Sequence, residues 1–358
     1  MRLITTTLAL TALALASASC EPAGDRYLMV TASETGAYYP IGQAIARLVH
    51  AGDSGLRLDV RPSGGSADNA RQLGRGDADF ALIQNDFAVF ATRGEQAFDG
   101  NPIENIRGVA ALYPEQIHLV ARADADINSV ADLAGKRVSI GDAGSGTEGN
   151  ALHVLDAYGL TTDDLGRQER LTPSQSADHL QDGRLDAMFF TVAVGAPAIN
   201  EASREIDVVF VPIEGPERDA LIEQFPYYSP SPIPADAYGS ATPNDDVPGI
   251  SVMASLVARA EVPDEAVEAV LDAILGDIDA FRASHARLAD FNRESAEANL
   301  PIDLHPAAAN WYSRAALHAT PAYASFINPQ FSLTAANDDA DDKGEGVGET
   351  CTCCPDCH

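Results

Sequence analysis

The sequence predicts an α/β protein of two lobes, each a mostly parallel sheet flanked by helices. Three observations predict it. Short apolar strands alternate with glycine-rich turns and amphipathic helices, the order that builds a parallel sheet with helices on its faces. One glycine-rich turn, Gly141-Asp142-Ala143-Gly144-Ser145-Gly146-Thr147-Glu148-Gly149, joins such a strand to such a helix. The pattern Leu73-x-x-Gly76-x-x-Asp79 returns as Leu180-x-x-Gly183-x-x-Asp186, each time between a helix and an apolar strand. At 358 residues and 46% hydrophobic content the chain can fill two cores.

The N-terminus reads as an export signal. Residues 3–18 form an apolar run behind Arg2, too short for a stable membrane anchor. Ala16-Ser17-Ala18 closes it with the small residues a signal peptidase needs, so 1–20 is assigned as a signal peptide. Cys20 fits the acylated cysteine of a lipoprotein, yet Ser17 stands where that motif expects a large aliphatic residue. Lipid anchoring and soluble release both stay open.

Along the body, 27–32 alternates like a strand, and Ile41, Ala44, Ile45, Leu48 and Val49 make a helical stripe after the turn at 33–40. A second strand at 56–60 leads to Pro62-Ser63-Gly64-Gly65-Ser66, where Ser66 suits a helix N-cap. A third strand at 78–83 ends at Gln84-Asn85-Asp86. Residues 106–122 carry strand-type residues on both sides of Tyr113-Pro114-Glu115, which suggests a segment crossing between lobes. A strand at 136–140 precedes the long glycine turn. In the helix after it Ala151, Leu152 and Leu155 lie at helical spacing, and Gly159 stands where a terminating glycine belongs. A helix at 176–180 and a strand at 186–191 follow. Residues 214–249 read as proline-rich and irregular, 250–258 as a returning strand, and Pro263 as the start of an acidic amphipathic helix bearing Val267, Val270, Leu271, Ile274 and Leu275. Helical sequence continues to about 324. The stretch 335–350 is acidic and nearly free of large apolar residues, so it reads as disordered.

The formal charge of −30, from 53 acidic against 23 basic residues, argues against nucleic acid and anionic membrane surfaces, since that field repels both. Only Lys136 and Lys343 are lysines, so the acidic surface reads as solvation chemistry of the kind that suits salt. Chemistry concentrates at the glycine turn. Unpaired backbone N–H groups at a helix N-terminus, with the positive end of the helix dipole behind them, bind a carboxylate or phosphate. Gly144, Gly146 and Gly149 also match G-x-G-x-x-G, with Asp163, Asp164 and Glu169 downstream, so a nucleotide-binding enzyme is an alternative. Against it, no second nucleotide-binding half follows, and Thr147 replaces the lysine of a Walker loop. No G-x-S-x-G elbow, H-E-x-x-H pair or cysteine in the folded body supports an enzyme. The C-terminus, Cys351-Thr352-Cys353-Cys354-Pro355-Asp356-Cys357-His358, formally contains a haem-attachment pattern. Haem needs a pocket, so soft-metal binding through Cys351, Cys353, Cys354, Cys357 and His358, or disulfides, is the stronger reading of this tail. No other cofactor is expected.

Several stretches occur together in one family. They are Gly36-Ala37-Tyr38-Tyr39-Pro40-Ile41-Gly42, Gly65-Ser66-Ala67-Asp68-Asn69, Gly76-Asp77-Ala78-Asp79, Gln84-Asn85-Asp86, Leu133-Ala134-Gly135-Lys136-Arg137-Val138, Gly144-Ser145-Gly146-Thr147-Glu148 and Leu304-His305-Pro306-Ala307-Ala308 before Trp311-Tyr312. Over about 26–325 the chain resembles the TAXI (TRAP-associated extracytoplasmic immunogenic) solute receptors of TRAP transporters. Asn85 stands where that family often has serine and Ala307 where it often has glycine. The resemblance implies a two-lobed periplasmic binding protein of type II-like α/β fold, its lobes joined by crossing hinge strands. Lobe 1 would be 26–113 plus 251–330, lobe 2 114–250, and 335–358 a tail. It further implies a periplasmic receptor, not an enzyme, that closes on a small organic acid or amino acid, glutamate-like or a dicarboxylate, and hands it to ion-driven membrane subunits.

On that resemblance Ser145, Gly146 and Thr147 would hold the ligand carboxylate, with Thr35, Gly36 and Tyr38 as the facing wall. Ser63, Gly65 and Ser66 offer a second helix N-terminus, with pure capping as the alternative. Gln84 and Asn85 suit hydrogen bonding at a strand end or a structural turn. Tyr113 would stack on the ligand or pack the hinge, Thr191 is a weaker candidate, and His305 is read as structural.

Overall fold

The computed structural model describes residues 25–34, 36–235, 237–239 and 245–319. The signal peptide with Cys20, the candidate Thr35, and the acidic tail with its cysteines and His358 lie outside the described residues. One compact unit runs to Ala315. Among the described residues no helix is long and apolar enough to cross a membrane.

A first α/β run comprises β1 (Arg26–Val30), α1 (Tyr38–Ala51), β2 (Arg57–Arg61), α2 (Ser66–Arg75), β3 (Phe80–Gln84) and α3 (Asn85–Arg93). The 17-residue strand β4 (Ile106–Arg122) leaves it. A second run follows with β5 (Arg137–Ser139), α4 (Gly146–Ala157), β6 (Arg167–Glu169), α5 (Pro173–Gln181), β7 (Ala187–Val192), α6 (Pro197–Glu205), β8 (Val208–Phe210), α7 (Pro216–Gln224) and β9 (Ser229–Pro230). The chain returns through β10 (Ile250–Arg259), and α8 (Asp264–Leu271), α9 (Ile278–Ser284), α10 (Arg293–Ala298) and α11 (Pro306–Ala319) complete it.

The main order of the sheet is β2-β1-β3-β10-β4-β7-β5-β6. β1 is parallel to β2 and β3, and β5 is parallel to β6 and β7, so two parallel halves flank an antiparallel central pair. β4 serves both halves. Ile106 to Gln116 pair with β10, and Gln116 to Ala121 pair with β7. The expected crossing segment is thus one unbroken strand, and the register shifts of the central pair fall at Ala254/Ser255 and Leu256/Val257.

The repeated Leu-x-x-Gly-x-x-Asp pattern does the same work twice. Gly76 and Gly183 follow α2 and α5 at φ of 73° and 67°, the left-handed region where glycine alone has no steric cost. Asp79 then accepts a hydrogen bond from the Leu28 N–H at the mouth of β1, and Asp186 accepts one from the Arg137 N–H at the mouth of β5. Arg259 pairs with Asp79, and Arg137 adds its own guanidinium to Asp186, so each carboxylate has a second, charged contact.

Three apolar clusters support the sheet, the third formed by Val120, Leu180, Met188 and Ile199 around α5 and α6. On one face Ile41, Ile45 and Val49 of α1 pack with Val267, Val270 and Leu271 of α8. On the other, Leu73 of α2, Phe87 and Phe90 of α3, and Ala151, Val154 and Leu155 of α4 form a layer that crosses from one parallel half to the other. Each such side chain contributes about 1.5–3 kcal/mol through burial, so α3 and α4 together tie the halves at this face. Leu152, placed with Ala151 and Leu155 by spacing, is 37% exposed instead. It projects away from the strip that Ala151, Val154 and Leu155 bury.

Two other expectations change. Residues 214–249 are not irregular throughout, because α7 and β9 lie within them. Leu221 is the buried residue of α7, so the helix has no apolar stripe to betray it, only Gly215 and Pro216 at its start. Gln84-Asn85-Asp86 is not merely a strand end, since α3 begins at Asn85.

Candidate functional site

α2 and α4 both begin beyond the carboxyl ends of parallel strands, the edge at which open α/β sheets bind ligands. At α2 the cap is Gly65, with φ 98° and ψ −160°, a conformation closed to residues with a side chain. The Ser66 hydroxyl accepts from the Gln84 N–H at 3.1 Å, and Asp68 accepts from the Gly64 N–H at 3.1 Å. At α4 the Ser145 hydroxyl caps the Glu148 N–H at 3.2 Å. Glu148 turns back into its own loop, accepting from the Gly144 N–H at 2.6 Å and pairing with Arg170.

The two turns meet. A Cβ on Gly65 would stand 3.9 Å from Ser145 Cα, and one on Gly144 would stand 4.0 Å from Ala67 Cβ. Behind them α4 lies close against β3 and α3. A Cβ on Gly146 would fall 1.9 Å from Gln84 Oε1, and one on Gly149 would fall 2.8 Å from the Phe87 ring. The glycines of the G-x-G-x-x-G match therefore permit a close helix approach, which removes the sequence argument for a phosphate-binding role at 146 and 149.

Between the turns lies a cavity of about 120 Å³. A space of that size suits a small solute and not a dinucleotide. Gly36, Tyr38, Ser63, Gly65, Ser66, Gln84, Ser145, Gly146, Thr147 and Thr191 all line it. Residues from both parallel halves therefore share one space. Asn85 and Tyr113 stand off its wall. Asn85 is a splice: its amide donates to the Tyr227 carbonyl at 3.3 Å and its oxygen accepts from the Met253 N–H at 3.0 Å. Tyr113 is packed in the core under α1 and α8, 2% exposed. His305 donates or accepts only within its own packing, contacting the Val262 carbonyl and the Ala307 N–H.

Sequence reasoning missed Glu115 and Asp142, which also line the cavity. Glu115 is buried on β4, and Tyr38 donates its phenolic hydrogen to the carboxylate at 2.7 Å. Burial raises its pKa to about 7, against the lowering effect of the Tyr38 bond and the Arg287 charge. Burial also raises Asp142. A signal for Glu115 existed: it is the one acidic residue between Ile106 and Ala121, in a stretch otherwise fit for a buried strand. Asp142 was quoted within the glycine turn but had no spacing to mark it.

Three polar atoms on this wall have no hydrogen-bond partner among the described residues: Gln84 Oε1, Asp142 Oδ1 and Thr191 Oγ1. An unpaired buried polar atom costs about 1–3 kcal/mol, so three on one wall mark a surface shaped for something polar. No Lys, Arg or His lines the cavity among the described residues. The wall thus opposes two sets of groups. Helix N-termini supply donors for a carboxylate, while Glu115, Asp142 and the Gln84 oxygen supply acceptors for a positively charged donor. Among the described residues no group of three or more His, Cys, Asp or Glu is placed to hold a metal ion.

Solved structures share this architecture. PhnD1 from Prochlorococcus marinus, determined in complex with methylphosphonate, aligns over 74% of this chain and 90% of its own at a TM-score of 0.51 and 10% identity. The periplasmic aliphatic sulphonate binding protein SsuA from Escherichia coli aligns over 81% of this chain and 83% of its own, at a TM-score of 0.45 and 16% identity. The fold is the mixed α/β fold of periplasmic binding proteins, a central sheet flanked by helices. The model of the NMT1-like family matches residues 29–314, and the chain belongs to that family.

Proposed function

We propose that this protein is the extracytoplasmic receptor of a solute transporter and captures a small amino acid of the glutamate type. It acts as a receptor and not as an enzyme, without a cofactor. The observation that carries this reading is the mixed wall of the cavity between the α2 and α4 turns, which both parallel halves line. Two opposed helix N-termini suit a carboxylate, and Glu115 with the unpartnered acceptors suits an ammonium group. A dicarboxylate without an amine would face Glu115 and Asp142 with no compensating charge, so the amino acid is favoured over it. The methylphosphonate held by PhnD1 supports a small polar ligand for this fold.

Capture proceeds by closure of lobe 1, 26–113 plus 251–330, on lobe 2, 114–250, with β4 and β10 as the crossing strands. The ligand drives closure because it touches both lobes only when they are together. The export signal read from 1–20 supports a periplasmic receptor, either free or anchored through Cys20. The TAXI resemblance over 26–325 supports TRAP membrane subunits as the partner that receives the ligand.

A thermal-shift series tests this reading with glutamate, glutamine, 2-oxoglutarate and succinate. At a hundred times Kd a ligand stabilises by about 2.7 kcal/mol, a rise of roughly 4–5 °C for a folded body of this size. Glutamate or glutamine should produce it, and the two acids lacking an amine should not. A shift by succinate equal to that by glutamate would overturn the amino-acid assignment, and silence from all four would overturn the receptor reading for these solutes.

A further inference from the structure

A second cavity of about 130 Å³ lies beside the first, and Gly36, Pro173, Phe190 and Val192 belong to both walls. Its remaining boundary is the start of α6, the exposed Glu201 one turn further on, and Arg287. Arg287 follows α9 and belongs to the chain after β10, whereas Pro173, Phe190 and α6 belong to the second run. It is half-buried, and its guanidinium forms no ion pair or side-chain hydrogen bond among the described residues. The two nearest guanidinium groups in sequence have partners of other kinds: Arg282 pairs with Asp279, and Arg293 lies over the Trp311 ring. A half-buried guanidinium has lost part of its hydration, and a carboxylate in bidentate contact is what restores it best.

We propose that Arg287 is a specificity-determining residue that receives the side-chain carboxylate of the bound amino acid in this annex. The inference rests on the amino-acid reading of the first cavity and extends it to the far end of the ligand. Glu115 and the helix N-termini then hold the α-amino and α-carboxyl groups, and Phe190 and Val192 flank the methylene stem. The charge on Arg287 reaches the floor of the first cavity, where it opposes the effect of burial on Glu115, so the two spaces share one electrostatic field. Glu201 disfavours an anion on the same wall, but it is exposed and solvent-screened, whereas Arg287 is not fully so.

Isothermal titration of the full chain with glutamate, glutamine and 2-aminobutyrate tests the assignment. Arg287→Met should weaken glutamate roughly 10- to 100-fold and leave 2-aminobutyrate within about twofold, the range for losing one charged hydrogen-bonded contact. Arg287→Lys should restore part of the glutamate affinity. Circular dichroism and the melting temperature of each variant guard against a folding defect. Equal weakening of all three ligands, or unchanged glutamate affinity, overturns the assignment to Arg287 while leaving the receptor reading standing. A wild-type chain that binds none of the three overturns both.

Discussion

Asp86 and Glu115 are both buried carboxylates, at 0% and 4% exposure, and burial lifts both to about 7. Their surroundings differ. Asp86, in the first turn of α3, accepts from the Phe87 N–H at 2.8 Å and from Asn150 Nδ2 at 2.5 Å. Asn150 donates also to the Tyr228 hydroxyl at 3.1 Å, which contacts His153 Nδ1 at 2.8 Å. This network joins α3 to α4 and the 225–228 segment, and none of its members lines the cavity. Glu115 has one strong partner, Tyr38, and its carboxylate opens onto the cavity. The pair teaches that a perturbed pKa does not by itself mark a binding group. What separates the two is unused hydrogen-bonding capacity facing a space that a ligand can enter.

The largest effect should come from the Asp86 network. Asp86→Ala leaves Asn150 Nδ2 and the Phe87 N–H buried with one partner fewer, at about 1–3 kcal/mol each. Chemical denaturation should show a loss of about 3 kcal/mol, and the variant that still folds should bind ligand with little change. If Asp86→Ala abolishes binding at unchanged stability, the contrast drawn between the two carboxylates is broken.

Glu115→Gln should do the reverse. It removes the charge that meets an ammonium group, so affinity for an amino acid should fall by about 1.5–3 kcal/mol, or roughly 10- to 100-fold, by titration calorimetry. Folding stability at neutral pH should hold or rise, because a buried charge is gone.

The pH profile sharpens the comparison further. Both groups are raised from the ordinary carboxylate range to about 7. Between about pH 4 and 7 the folded chain therefore holds protons that the unfolded chain has released. This part of the stability is fully present below the unfolded pKa and is lost as pH rises toward 7, by up to about 1.4 kcal/mol per pH unit for each group. Asp86→Asn and Glu115→Gln should each remove one share of that slope in denaturation curves. Binding responds to one of them alone. An ammonium ligand favours ionised Glu115, so affinity should fall up to about tenfold per unit below pH 7, and Glu115→Gln should flatten that dependence.

The smallest effect concerns the α3–α4 contact. Gly149→Ala places a methyl group against the Phe87 ring, at about 1–2 kcal/mol for overpacking, read as a modest drop in melting temperature. A neutral result would mean that the helices part easily and that the Asp86 network, not their close approach, joins them.

Much of the fold could be read from the sequence because its signals are local. The turn glycines, the Leu-x-x-Gly-x-x-Asp pair and the unbroken run at 106–122 each report a nearby backbone requirement. The positions where α2 and α4 start were legible for the same reason. Partners brought from a distance were not. Asn85 looks like a ligand group at a strand end until Tyr227 and Met253 occupy its amide. The resemblance puts Tyr38 on the facing wall, but only the return of Glu115 on β4 shows what its hydroxyl meets there. Arg287 carries no motif, and its place opposite Pro173 and Phe190 depends on the return of the chain through β10.

β4 has a mechanical consequence. A strand of 17 residues reaches roughly 55 Å, and this one is shared, without a break, by both parallel halves of the sheet. Glu115 sits one residue before Gln116, where the pairing passes from β10 to β7. On the proposed reading, a solute held by that carboxylate would meet the strand near its midpoint, where both parallel halves share it.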